Sequence, residues 1–246
     1  MISGMPLGPF FFAVALIAGG IAAVTGFAIG SLLTPTLALE TGTKLAVAAV
    51  AIPHFVGTAQ RFLILRRHVH RRVLLGFGIP SAAGGLAGAL LHARASSRAL
   101  AVVFGGLLIM AGVSELTGWI ERVRWGRRTA WVAGAVSGAL GGLVGNQGGI
   151  RSAAMLGFNV PKESFVATAT AVGLIVDLAR LPVYLAIGWR DILHVWLLVL
   201  TATIGVVIGT AFGTRVLGRL PERTFRRVLA VLLLALGLYM AFAGGG

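Results

Sequence analysis

The chain has 246 residues, 57% hydrophobic and 11% charged, with no cysteine, and its mean hydropathy is +0.94. A soluble domain carries about 25% charged residues, so the composition excludes an ordinary globular protein; the missing thiols exclude disulfides, thiolate catalysis and cysteine-ligated metals. A net charge of +14 would suit nucleic acid if it formed a patch, but it is spread over short loops between apolar runs, as in a multi-pass membrane protein, so no nucleic-acid partner is expected.

Taken in order, the N-terminus Met1-Ile2-Ser3-Gly4-Met5-Pro6 has no Lys or Arg. It lacks the basic region of a signal peptide, and nothing in it would hold that end in the cytoplasm. The first apolar stretch, residues 9–39, is interrupted at Thr25-Gly26-Phe27-Ala28-Ile29-Gly30-Ser31. As one helix it would span roughly 45 Å, too long for a single crossing, so it is either a tilted span with a tail or a re-entrant hairpin turning near Gly26 to Gly30. Apolar segments follow at 45–65, 73–91 and 100–120, each near the length that crosses the hydrocarbon core.

A basic linker at 121–128 closes the first half. A second interrupted segment covers 129–160, and spans follow at 164–187, 192–212 and 225–242, with Gly244-Gly245-Gly246 as a frayed end. The halves match: Gly26 and Gly30 stand 119 residues before Gly145 and Gly149, and Arg61 and Arg71 stand 119 before Arg180 and Arg190. The expected fold is all-α, a polytopic membrane bundle of two inverted repeats. Each repeat has a broken or re-entrant helix followed by three transmembrane helices. Residues 1–120 form the first repeat, 121–128 a basic cytoplasmic linker and 129–246 the second repeat.

Charge supports the inversion. If each interrupted segment crossed once, the loop Lys and Arg would divide evenly between the two sides. If each enters and leaves on one side, only Lys44, Arg94, Arg98 and Arg190 are left facing the other. The positive-inside rule favours the second arrangement. It leaves the basic loops cytoplasmic and both termini outside. Inverted repeats with discontinuous helices are a recurring transporter plan.

Three arginines remain inside apolar segments or at their edges: Arg61, Arg151 and Arg180. A charge there costs a few kcal/mol and faces the bundle interior or a pathway. Asp177, the one acid well inside an apolar segment, lies three residues before Arg180 on the same helix face. The pair alone could merely lock helices together, and Arg61 could snorkel to the loop at 66–72. One acid cannot neutralise three converging arginines, however, and an anion would complete the set; guanidinium groups suit sulfonate-like or carboxylate oxygens. Gly145-Asn146-Gln147-Gly148-Gly149-Ile150-Arg151 supplies the other half. A half-helix starting near Gly149 would turn free N–H groups and a positive dipole end toward that anion, and the amides of Asn146 and Gln147 can donate. Gly134, Gly138 and Gly142, like Gly205, Gly209 and Gly213, instead have the spacing of helix-packing faces.

His54, after Pro53, is either a hydrogen-bonded interior histidine or a proton carrier for coupling. Gln60 and Thr58 lie on nearby turns, while Thr168 and Thr170 occupy the matching region of the second half. Trp119, Trp125, Trp131, Trp189 and Trp196 fall near segment ends, as interface anchors do.

The run Gly145-Asn146-Gln147-Gly148-Gly149-Ile150-Arg151, followed by Phe165-Val166-Ala167-Thr168-Ala169-Thr170-Ala171 and by Val176-Asp177-Leu178-Ala179-Arg180, resembles the TauE/SafE (sulfite exporter) family. The resemblance covers nearly the whole chain. The family's usual Gly-x-Gly-Gly-Gly stands here with Gln147 at a glycine position, and the first half keeps only Gly26 and Gly30. The resemblance implies export of sulfite or an organosulfonate across the cytoplasmic membrane.

The expected function is therefore secondary transport, as an exporter of a small anion by alternating access. Asn146, Gln147, Gly148, Gly149, Arg151 and Arg180 would bind substrate, with Arg61 as first-half counterpart and Asp177 and His54 as coupling groups. The expected partners are the lipid bilayer, the anion and protons, with a homodimer compatible. No cofactor or metal is implied, and no Gly-x-x-x-x-Gly-Lys-Ser/Thr motif occurs. An intramembrane enzyme would need a nucleophile with a base, or a metal cluster; His54 and His194 are far apart, no His-Glu-x-x-His occurs, and Ser152 has no evident base. A non-transporting scaffold would need Arg151 and Arg180 fully paired with protein groups.

Overall fold

In a computed structural model, residues 7–119, 129–146, 148, 150–151, 155, 158, 160–217 and 222–242 are described. The basic linker at 121–128, Gln147, Gly149 and the terminal glycines lie outside them. The described chain is helical: α1 (Leu7–Thr25), α2 (Ile29–Thr41), α3 (Thr43–Leu65), α4 (Arg71–Arg94), α5 (Ser97–Thr117), α6 (Thr129–Val144), α7 (Lys162–His194), α8 (Trp196–Leu217) and α9 (Glu222–Phe242). Without water to satisfy backbone N–H and C=O groups, an apolar chain crossing lipid closes its hydrogen bonds within helices. Among the described residues, six helices are long and apolar enough to cross a membrane. They make this a polytopic helical membrane bundle.

The first apolar stretch is two helices separated at Gly26–Ala28, and the second broken segment stops at Val144 and is helical again at Gly148. One boundary differs from the sequence expectation. The segments placed at 164–187 and 192–212 are divided at Val195, because α7 continues to His194. Gly188 takes non-helical angles (φ −124°, ψ 16°) inside it, so the glycine bends the helix without ending it. In α4 a π-helical stretch, Leu74–Gly78, widens one turn.

Glycines set the helix pairs. α1 lies along α8 in the same direction: a side chain at Gly205 would meet Phe12 and Leu16, and one at Gly213 would meet Gly20. α4 lies along α6 in the same way, with Gly134 on Phe77 and Gly142 on Gly85. The Gly134-Gly138-Gly142 and Gly205-Gly209-Gly213 rows are the surfaces of these contacts, where a missing Cβ lets backbones touch. α5 and α9 run oppositely, with Gly105 against Gly237 and Ala241 and Gly112 against Ala230 and Leu234. α3 and α7 also cross oppositely at the centre, His54 meeting Asp177 and Thr58 meeting Gly173.

The outer faces carry exposed apolar side chains such as Leu90, Val132, Leu197 and Val231, whereas Arg61, Arg151, Asp177 and Arg180 are buried. That is the pattern lipid imposes: apolar atoms outward, the few charges inward.

Candidate functional site

The two helix breaks are built alike. Each half-helix ends at a glycine in the left-handed region, Gly26 (φ 80°) in α1 and Gly145 (φ 76°) in α6. A side chain there would strain the backbone. Each glycine N–H donates to the carbonyl four residues back, Gly26 to Ala22 at 2.9 Å and Gly145 to Gly141 at 2.9 Å. Each of those carbonyls also accepts from an arginine one long helix later: Arg61 Nη1 donates to Ala22, and Arg180 Nη1 donates to Gly141 at 2.7 Å. Ala22 and Gly141, like Arg61 and Arg180, are 119 residues apart. A cation at a helix C-terminus meets the negative end of the dipole and satisfies an orphan carbonyl.

The breaks also touch. A Cβ at Gly30 would come within 2.7 Å of the Gly145 carbonyl oxygen, and one at Gly148 would run into the Phe27 side chain. Arg151, helical in the segment that restarts after the second break, donates from Nη2 to the Gly26 carbonyl at 3.2 Å. The first break is therefore lined from across the interface by a residue of the second. Ala28 in that break has φ 122°, a conformation costing a non-glycine residue about 1–3 kcal/mol and typical of functional sites.

Asp177 holds the centre. Its Oδ1 accepts from Arg180 Nε at 2.9 Å, with Arg180 Nη2 at 2.8 Å, and its Oδ2 faces His54 Nδ1 at 2.7 Å. With the carboxylate ionised, Nδ1 is the donor. Arg61 turns inward: Nη2 donates to Thr58 Oγ1 at 3.3 Å, and the residue is 5% exposed, which rules out snorkelling to the loop at 66–72. Arg61 and Arg151 lie near enough to repel one another. Asp177 is thus committed to Arg180 and His54, while two further guanidinium groups are buried with no carboxylate of their own among the described residues. Arg61 Nε and Arg151 Nε are buried N–H donors without a described acceptor, a state that costs about 1–3 kcal/mol each unless something accepts.

The structure therefore brings together Arg61, Arg151, Arg180, Asp177, His54 and Gly148. Asn146 is at the second break and half-buried. Thr168 Oγ1 accepts from the His70 N–H at 2.9 Å, away from the arginines, and Thr170 Oγ1 is buried without a described partner. Among the described residues no cluster of His, Asp or Glu could hold a metal ion.

Two residues escaped the sequence reading. The Tyr184 hydroxyl donates to the Gly142 carbonyl, and His92 Nδ1 donates to the Leu143 carbonyl at 2.8 Å. With Arg180 on Gly141, three successive carbonyls at the end of α6 are capped by side chains from α7 and α4. His92, a histidine inside an apolar helix, was the available signal; Tyr184 left none, because a lone tyrosine near a span end also suits an interface anchor. Tyr184 packs between His92, at 4.8 Å between ring centroids, and the Arg180 guanidinium, 5.8 Å from its ring centroid. Both rings line a cavity of about 290 Å³ with Thr41, Lys44, Ser97 and Asp191.

A family model described as Sulfite exporter TauE/SafE matches residues 11–240. No curated protein and no solved structure gives a significant match.

Proposed function

We propose, from the premise that this chain belongs to the sulfite exporter TauE/SafE family, that it exports a small sulfur oxyanion, sulfite or an organosulfonate, by alternating access around the two helix breaks. The observation that carries the reading is the charge imbalance: among the described residues three buried guanidinium groups are accompanied by one carboxylate, which is spent on Arg180 and His54, and the other two guanidinium groups each keep an unpaired N–H. An oxyanion between Arg61 and Arg151 would accept those donors and relieve their repulsion. Arg180 and Asp177 form the wall of the site and Asn146 and Gly148 stand at its mouth; Gln147 and Gly149, outside the described residues, complete the substrate-binding set by sequence.

The two halves act as inverted repeats, 1–120 and 129–246. Supporting this, α1 pairs with α8 as α6 pairs with α4, and the helices equivalent at an offset of 119, α3 with α7 and α5 with α9, run oppositely. An axis relating two antiparallel equivalents lies across them, in the membrane plane. The hairpins then enter from opposite faces, with both termini outside and the basic loops, including 121–128, in the cytoplasm of a bacterial inner membrane.

Coupling to protons uses His54. A proton added to the imidazole turns the His54–Asp177 hydrogen bond into an ion pair and raises the positive charge around the site, favouring the anion; losing it favours release. A non-transporting scaffold is the second reading, and the full pairing of Arg180 favours it for that residue. The unpaired donors of Arg61 and Arg151 oppose it. The Thr58 hydroxyl stands 3.5 Å from His54 Nδ1, but that nitrogen already faces Asp177 Oδ2 at 2.7 Å, which weighs against its acting as a base for an intramembrane enzyme.

The test is flux in proteoliposomes across sulfite, a small organosulfonate and chloride. Wild type carries the sulfur oxyanions, and Arg151→Ala, Arg61→Ala and Arg180→Ala each slow them. A wild-type flux left intact by all three substitutions would reject the site. No flux of any anion would leave the scaffold.

A further inference from the structure

The two ends of the α3–α7 pair are in different states. At the end carrying the loop at 66–72, the His70 N–H donates to Thr168 Oγ1 at 2.9 Å, tying the chain after α3 onto α7. The positions matching Thr168 and His70 at the offset of 119 are Ala49 and Trp189. Ala49 has no side-chain acceptor to take a Trp189 N–H, and their neighbours Ala48 and Gly188 line the open cavity of about 290 Å³. The same helix pair is thus latched at one end and parted at the other. The parted end needs a different latch.

Lys44 and Asp191 face this cavity from α3 and α7. Their charges are opposite, yet neither belongs to an ion pair among the described residues. Lys44 Nζ spends one donor on the Ala93 carbonyl at 2.7 Å, leaving two. The matching positions at the other end are Glu163 and Arg72: complementary charge is kept there with the signs exchanged, and those two are likewise unjoined. Three residues before Asp191, Gly188 takes non-helical angles, and a Cβ there would meet nothing within 4 Å. The turn bearing Asp191 therefore joins α7 through an unpacked bend. Tyr184, which lines the cavity, has its ring centroid 5.8 Å from the Arg180 guanidinium carbon. A solute entering the cavity is one side chain away from the arginine cluster.

We propose that Lys44 and Asp191 are the gate at this end of the transport path: the α7 tail, 189–194, swings about Gly188 and pairs Asp191 with Lys44, closing the cavity above Tyr184. The assignment rests on the transporter reading above. Such hinged closures are a common way of alternating exposure of a buried site.

Because the chain has no cysteine, the gate can be tested with introduced thiols alone. Lys44→Cys with Asp191→Cys, in proteoliposomes, is treated with dibromobimane before any anion is added. The reagent bridges two thiols through thioethers that sulfite does not cleave, and it fluoresces strongly when bridged. The expected result is bridging in the double variant and a loss of flux of at least about ten-fold on treatment, with each single variant keeping after treatment the flux it had before treatment. Absence of bridging, or bridged protein that still transports, overturns the gate. Gly188→Ala has room for its methyl and keeps the fold, so it supplies the second reading: flux slowed several-fold with an unchanged melting temperature is expected, and wild-type flux rejects the hinge. If the wild-type protein carries no anion, the transport reading fails by itself, and the bridging result still reports whether the two helices approach.

Discussion

The two breaks share a frame and differ in content. Both end in a left-handed glycine whose carbonyl partner four residues back is held by an arginine from the next long helix. Around that frame, positions that match at the offset of 119 have diverged: Phe27 against Asn146, Leu32 against Arg151, Thr58 against Asp177, and His54 against Gly173. Arg61 reaches a threonine hydroxyl where Arg180 reaches a carboxylate. What repeats is the device that ends a helix inside the bilayer, which any discontinuous helix needs because its last carbonyls are otherwise bare. What does not repeat is the chemistry, and the second half supplies most of it. The first half contributes an apolar side chain, Phe27, which packs against Gly148.

Substitutions that copy one half onto the other, or that strike the shared frame, test this division. The largest effect is expected from Asp177→Asn. It removes the one carboxylate found beside the three buried guanidinium groups among the described residues, and breaking a buried pair costs about 3–5 kcal/mol; melting followed by tryptophan fluorescence should fall accordingly, and His54 should no longer set a pH dependence of flux. A protein that melts as wild type would mean that Asp177 is not ionised against Arg180.

Arg151→Leu, which writes the first half's Leu32 into the second, comes next. It removes a buried charge and its bond to Gly26, so the fold should survive, while oxyanion flux should fall about a hundred-fold, the size of one charge-assisted contact. Flux within a factor of two of wild type would place the anion elsewhere.

The glycine caps give the smallest effect and the sharpest comparison. Gly26→Ala adds only backbone strain, because no atom lies within 4 Å of the new methyl; it should cost about 1–2 kcal/mol. Gly145→Ala carries the same strain and also brings the methyl to 3.2 Å from Arg180 Nη1, so it should melt lower than Gly26→Ala and slow transport as well. Equal melting and equal flux would show that Arg180 yields freely and that the frame is not functionally coupled to the site.

Much of the frame was visible in the bare sequence. Gly26, Gly145, Arg61 and Arg180 stand out because glycine and arginine are costly in a lipid-facing helix, and their common offset marks them as one device used twice. The rest was hidden for definite reasons. Arginine does not announce whether it will cap a carbonyl or meet a solute, and only the crossing of α3 and α7 assigns Arg180 to Gly141 and leaves Arg151 and Arg61 with a spare N–H. Tyr184 and His92 act on backbone carbonyls, which are the same at every residue and so leave no mark in a sequence pattern. The span expected over 164–187 runs on to His194, because Gly188 bends the helix without ending it.

By itself the amino-acid order determined the class of molecule, the sites where helices break and the excess of positive charge, because these follow from the cost of exposing polar groups and glycine backbone to lipid. The tertiary structure alone decided which arginine is spent on a carbonyl, which acid it shares, and that Lys44 and Asp191 confront each other across an open cavity. Those outcomes depend on how helices far apart in the chain cross, and the orientation of one helix against another is set by packing across the whole bundle, which no local run of residues encodes.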